Sequence, residues 1–547
     1  MHYIFDLKNG SLRTIKFDGE KHLVADADAG IGDKLVIFFK GYAHIGDDFI
    51  LSEDQLERYV KQYGIGELYL AEGSFACAIY WESKIHVITD CFGLTAIYYS
   101  NDDRTVVSTS YFGLIEYLSQ RENLQFNSSY TKYFAKRLDI TDCCFSRELL
   151  VKNTYILSIF ESIEYRLSDR QFSLLNRKSQ FDSELAIGYE EAIIRGIRNL
   201  AQKIKFGRAI GKHCIVSLSG GIDSRLIFSA CNGNIEFKTF SGGNTVDVAI
   251  AKRISHFYGV ENISRFEDVD NCPMSPEAAL RRWEYDALGS YSFFNISNSF
   301  NMDPLRNVEI RGIGGEVLRG FYNDVERDLG ATEEMTECFI ADCPTDGDSS
   351  HFEWRDYHYL MYRNRIHGGR TIDEAERALF RIDPLINRSL YIAARVTDRN
   401  SRLNNKVLCD LQMVLNKELL FVKYDKAEKN VKPSQIKNSI FFRDDLYIDA
   451  FDAPIQIHGD IIAGYNSIKR RDKSTEWIPP SAFIAGIFGE ITYQIRDKMA
   501  QNTLVAFELE KGHAEYTLAN IAERGRQLAR YYALSKLMEL GVTGFQN

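Results

Sequence analysis

The sequence predicts an α/β protein in two parts: an α+β domain of antiparallel sheets, then a parallel-sheet α/β domain with a helical C-terminal part. Three observations carry this. Up to about residue 165, short runs rich in Val, Ile, Phe and Tyr are separated by Gly, Asp and Asn turns. From about 183, strands alternate with helical patterns, the signature of βαβ units. After about 340 the apolar spacing is helical, as in "KVLCDLQMVLNKELL" and "YTLANIAERGRQLARYYALSKLMELG". The expected domains are 1–170 and 185–547, with the polar stretch at 166–184 as the linker.

Taken in order, "KLVIFFKGYAHI", "GSFACAIYW", "KIHVITD", "AIYYSN" and "TVVSTS" are the strands of the first domain. One helix interrupts them: Ser52 caps "SEDQLERYVKQYG", Gln55 is its capping-box partner, and Gly64 stops it. A second helix, "SELAIGYEEAIIRGIRNLAQKIKFG", is expected to start from a Ser183 cap. "IEFKTFSGG" reads as a further strand and "VDVAIAKRISHFYGV" as the helix after it.

Composition excludes several classes. At 547 residues the chain can bury two or three cores, and 45% hydrophobic with 26% charged residues is ordinary for a globular protein. A net charge of −10 argues against wrapping nucleic acid. Ten cysteines lie scattered without a Cys-x-x-Cys pair, so they are read as reduced thiols rather than zinc ligands. No apolar run is long enough to span a membrane, and the first residues have no secretory pattern. The expectation is a cytoplasmic protein.

The stretch "CIVSLSGGIDSRLIF", residues 214–228, asks for a chemical explanation. A buried strand stops at Ser219-Gly220-Gly221 and a helix resumes with Asp223 and Ser224 in its first turn. Two glycines let the backbone turn sharply and present its N–H groups. Amides at a helix start, with the helix dipole, suit anionic oxygens. Asp223 would repel a phosphate unless a metal sat between them, which implies Mg²⁺. The loop has neither the lysine of G-x-x-x-x-G-K-[ST] nor the spacing of G-x-G-x-x-G.

Ser-Gly-Gly-x-Asp-Ser after an apolar strand resembles the pyrophosphate loop of ATP pyrophosphatases. Within that group the chain is similar to asparagine synthetase-like proteins, including β-lactam synthetases and lasso-peptide cyclases. "RGIGGEVLRGFY", residues 311–322, resembles their second glycine loop, with Gly312, Gly314, Gly320 and Tyr322 on matching positions. Asp247 matches an acidic residue common in the segment between the loops. "GSFACAIYWESKIHVITDCFGLTAIYY" resembles the family's glutaminase core, with Asp90, Gly93 and Tyr98 in its Asp-x-x-Gly-x-x-x-x-Tyr pattern.

The resemblance implies an ATP site made by Ser217, Leu218, Ser219, Gly220, Gly221, Asp223, Ser224, Phe240, Ser241, Gly312, Gly314 and Gly315. It implies Mg²⁺ on Asp223 and Glu316, and Glu316, Lys423 and Lys426 as catalytic candidates. Arg311 or Arg319 would add positive charge. The departures matter equally. Where the family's glutaminase has its cysteine stands His2, and Lys40-Gly41 replaces an amide-binding Asn-Gly, so the first domain is expected to be a non-catalytic scaffold. Ile313 and Phe380 occupy the positions of the family's general-base machinery.

The activity implied is an AMP-forming amide ligase that uses no glutamine. Its partners would be a small-molecule or peptide carboxylate and an amine, with no nucleic acid and no membrane, and a homodimer is compatible. Two alternatives stand beside it: a catalytically silent homologue that binds a nucleotide or a partner, and ammonia-dependent amidation of aspartate or a sugar acid. The aromatic stretch 351–369 is read as core at helical spacing, with substrate contact as the alternative.

Overall fold

In a computed structural model of the chain, the described residues are all except 19–20, 102–104, 135–143, 145, 212, 233–234, 240–244, 261–270, 274, 291–298, 302–306, 321–332, 344–353, 370–379, 443–453, 459–520 and 545–547. Phe240, Ser241 and Tyr322 therefore lie outside them.

The first part holds β1 His2–Asp6, β2 Ser11–Asp18, β3 Lys21–Asp28, β4 Val36–Ile45, β5 Asp48–Ile50, β6 Glu72–Trp81, β7 Lys84–Thr89, β8 Tyr98–Asn101, β9 Thr105–Ser108, β10 Thr154–Ile156, β11 Glu161–Arg166 and β12 Gln171–Asn176. They form two antiparallel sheets, in the orders β10-β8-β9-β1-β2-β3 and β12-β11-β7-β6-β4-β5. Strand alternation explains why both faces of the second sheet are covered. On β6, Ala76 and Ala78 face the first sheet, while Phe75, Cys77 and Ile79 face the helix Glu53–Tyr63. That helix starts as expected, with the Ser52 side chain accepting from the Gln55 amide. The outer face of the first sheet carries the helices Tyr111–Ser119, Pro276–Ala287 and Ile521–Glu539. The result is a helix–sheet–sheet–helix stack to which the far C-terminus contributes a layer.

The second part adds β13 His213–Ser217, β14 Glu236–Lys238, the pair β15 Asn271–Pro273 and β16 Ser299–Asn301, then β17 Asn307–Ile310, β18 Phe380–Ile382 and β19 Gln456–Ile457. β14-β13-β17-β18 is a parallel sheet, as the alternating pattern predicts. β19 extends the second antiparallel sheet along β5. The helix Tyr189–Ile210 covers one face of the parallel sheet.

Two expectations change. The stretch 166–184 is no simple linker: Gln171–Asn176 pairs with β11 as an edge strand, whose polar residues face solvent. Ser183 caps no helix, because a 3-10 turn over Glu184–Ile187 intervenes and Gly188 precedes the long helix. The core reading of 351–369 agrees with its described residues: Tyr357, Tyr359 and Tyr362 are buried, and Arg365 donates to the carbonyls of Gly93 and Leu157. No helix among the described residues is long and apolar enough to cross a membrane. No disulfide occurs among them, and their cysteines are free.

Candidate active site

The site grows from strand order. β13 has β14 on one side and β17 on the other, so the chain leaves β13 one way and later returns the other way. Loops after two such strands diverge and leave a crevice at the carboxyl ends of the sheet. The loop after β13 is Ser-Gly-Gly, and the loop after β17 is the second glycine loop.

The first loop is held by its own side chains. The Ser219 amide donates to Ser224 Oγ (3.1 Å), and the two serine hydroxyls are 3.0 Å apart. The Gly221 amide donates to Ser219 Oγ (3.2 Å), and the Gly220 amide donates to Asp247 Oδ1 (2.8 Å). An anion thus already rests on one loop amide, and it is a carboxylate of the chain. The helix Ile222–Ala230 that follows Gly221 has no side-chain cap, so its first turn keeps the dipole and amides that suit an anion.

The second loop approaches closely enough to require glycine. A Cβ on Gly312 would come within 2.7 Å of the Asp223 and Ser224 backbone, and one on Gly315 within 2.0 Å of Asp223 Oδ1. Gly314 has φ +102° and precedes the short helix Gly315–Arg319. Its amide donates to Glu316 Oε2 (3.2 Å).

Arg319 lies between the two carboxylates. Its Nη2 donates to Asp223 Oδ2 (3.1 Å) and is 3.7 Å from Glu316 Oε1. Asp223 Oδ1 is buried without a hydrogen-bond partner. Burial pushes the Asp223 carboxyl up to about 6; Arg319 and Lys429 oppose this and Glu316 adds to it. Two carboxylates, each with one oxygen not firmly bonded, fit one hard divalent cation. A triphosphate would meet the four carboxylates of Asp223, Glu316, Asp247 and Asp425 against the cations of Arg319 and Lys429. That balance favours a nucleotide arriving with a metal over a bare one.

Other predicted residues fall at the margin. Leu218 is a core side chain whose amide donates to Lys238 O (2.9 Å). Ser217 donates to Glu309, which also pairs with Lys238 (2.6 Å) and Arg381 (2.8 Å). Burial alone would raise the Glu309 carboxyl, but Arg381, Lys238 and Arg311 pull it down to about 2. Arg311 forms a buried two-point pair with Asp383 (2.9 and 2.6 Å) and is committed there. Phe380 is buried against Tyr42 and Phe206, and Ile313 packs partly buried on a different core cluster, so neither offers a polar group to the loops.

Lys423 and Lys426 have exposed side chains. Sequence reading missed the neighbouring Lys429. Arg225 explains the difference: it donates to the carbonyls of Leu419, Val422 and Lys423 (3.0, 2.6 and 2.9 Å) and stacks on Tyr424. This clamp delivers the Asp425 amide to Gly220 O (3.1 Å), and Asp425 in turn holds Lys429 Nζ at 2.8 Å. The i,i+4 spacing of Asp425 and Lys429 in "YDKAEK" was the available signal.

In the first part, His2 is buried, with Nε2 2.8 Å from Asp286 and Nδ1 3.3 Å from Thr109 O. Position 2 thus carries an imidazole tied to the second part of the chain. Asp90 works as a loop organiser whose oxygens accept from the amides of Phe75, Phe92, Leu94 and Thr95. No protein-family model and no curated protein matches this chain.

Proposed function

We propose that the chain is an ATP-dependent, AMP-forming carbon–nitrogen ligase of the asparagine synthetase-like kind that works without glutamine. The observation that supports it best is Asp223: a carboxylate in the first turn of an uncapped helix, at a sheet switch point, with one buried oxygen unclaimed. In this reading a substrate carboxylate attacks the α-phosphorus of ATP, pyrophosphate leaves, and an amine then displaces AMP. Ser219 and Ser224 turn their hydroxyls, and the helix its first-turn amides, toward the departing phosphates. Lys429 offsets negative charge at the loop, held in place by Asp425. Asp223 and Glu316 would hold Mg²⁺, which supplies charge neutralisation on the leaving group. His2 in place of a cysteine supports a scaffold role for the first part.

A second reading is a silent homologue that binds a nucleotide or a partner. The Arg319 bridge to Asp223 and the internally bonded loop amides favour it. Incubation with ATP, Mg²⁺ and a panel of carboxylic acids, with amines or ammonium, separates the two. AMP and pyrophosphate in equal amounts support the ligase, whereas ATP binding without either product in any combination supports the silent homologue. Because Asp223 must be ionised to hold the metal, protons compete with Mg²⁺ there, and the Mg²⁺ concentration needed for turnover should rise as pH drops through about 6. A Mg²⁺ requirement unchanged from pH 7.5 to 5 would count against this assignment.

A further inference from the structure

A cavity of about 220 Å³ lies where the turn between β4 and β5 meets the helices Tyr189–Ile210 and Arg388–Arg395. It is separate from the glycine loops and is walled by both parts of the chain. Its charges are of both signs and are not all paired. Arg198 and Glu67, both exposed, have no ion-pair partner among the described residues. By contrast, the lining residues Arg388 and Arg195 are held by Glu184 (2.7 Å) and Glu191 (2.8 Å).

A buried polar atom without a partner lies on the same wall. Asn199 Oδ1 is buried and has no hydrogen-bond partner. His44, 2% exposed, stacks flat on Phe49 at 4.2 Å, with the Gly46 backbone and the Gln202 side chain beside its ring. Gln202, whose amide nitrogen donates to Asp47 Oδ1 (2.6 Å) and Pro454 O (3.1 Å), also meets this ring. Burial lowers the His44 pKa to about 4, so the ring is neutral at pH 7 and offers one donor and one acceptor. Buried polar groups are normally satisfied, so the Asn199 oxygen beside this cavity calls for a donor.

We propose that this cavity binds a free α-amino acid, with its carboxylate on Arg198 and its ammonium group on Glu67 and Asn199 Oδ1. A simple anion would face Glu67 and a simple cation would face Arg198; a zwitterion answers both. The volume lies below the roughly 300–1,000 Å³ of drug-sized sites, which suits an occupant of amino-acid size. The cavity also has a route to the glycine loops. Its wall residue Glu72 pairs with Lys203, which donates to Ile386 O (2.6 Å). The Ile386 amide lies where a Cβ on Gly314 would meet it at 2.9 Å. The proposal stands independently of the ligase reading.

Calorimetric titration of the full chain with each of the twenty L-amino acids tests it. At least one should bind, and its methyl ester and its N-acetyl derivative should each bind at least about tenfold more weakly. Arg198→Glu should lower affinity by at least about tenfold without moving the melting temperature, since this side chain is exposed and unpaired. Asn199→Leu should weaken binding as well, and Asp223→Asn should leave it unchanged. The proposal is overturned if no amino acid binds at 10 mM. It is equally overturned if the ester binds as well as the acid, or if neither Arg198→Glu nor Asn199→Leu weakens binding.

Discussion

Asp223→Asn is expected to cut AMP and pyrophosphate formation by about 10²–10³-fold or more while leaving the protein as stable as before or more stable. The loss follows from removing the charge that Mg²⁺ would need beside Glu316. The stability gain follows from the carboxyl's environment: burial holds its folded pKa at about 6, above the ordinary value of 3.8. A carboxyl raised on folding costs stability once ionised, so the cost is fully present above pH 6 and vanishes as pH falls toward 4. For a shift of this size it is about 3 kcal/mol. Asparagine removes the charge and can still accept from Arg319 Nη2. Melting curves of both proteins should therefore differ most at pH 7.5, with the variant higher, and converge near pH 4.5. A variant that melts several degrees below wild type at pH 7.5 would mean that the Arg319 pair outweighs burial. Retained pyrophosphate release would remove Asp223 from the chemistry.

The antiparallel sheets and the parallel sheet were legible because local signals there agreed with burial. Period-2 runs mark sheets, and alternating strands and helices mark the parallel unit. The Gln171–Asn176 strand was not legible, since an edge strand with solvated faces has the composition of a linker. The glycine loops announced themselves because tight approach leaves only one residue type free of clash, as at Gly312 and Gly315. What the sequence could not disclose was which charges meet. Asp247 lies 27 residues from Gly220, and Arg319 lies 96 from Asp223. Lys429, rather than Lys423 or Lys426, reaches the loop only because Arg225 anchors three carbonyls on the way. Long-range pairings of this kind leave no periodic trace.

Lys203→Met should be the most damaging single change at the joint between the two parts. Lys203 and Glu72 are an almost fully buried pair, with side-chain exposures of 1% and 7%. Burial pushes the Glu72 carboxyl up, yet Lys203, with His44 and Arg388, brings it below the ordinary value. Methionine fills much of the lysine's volume but leaves Glu72 charged and buried, with the Arg388 amide (2.9 Å) as its remaining hydrogen bond. Removing one partner of a buried pair costs about 3–5 kcal/mol. The melting temperature should fall by several degrees. Adding Glu72→Gln should recover most of the loss, because the uncompensated charge is then gone. The pH dependence supplies an independent check. A carboxyl depressed on folding stabilises above its unfolded pKa, and that contribution fades as pH falls below about 4.5 through the folded value. Wild type should lose this contribution in acid, whereas the double variant has none to lose. If Lys203→Met melts with wild type, or if the double variant melts no higher than the single, the pair does not hold the joint.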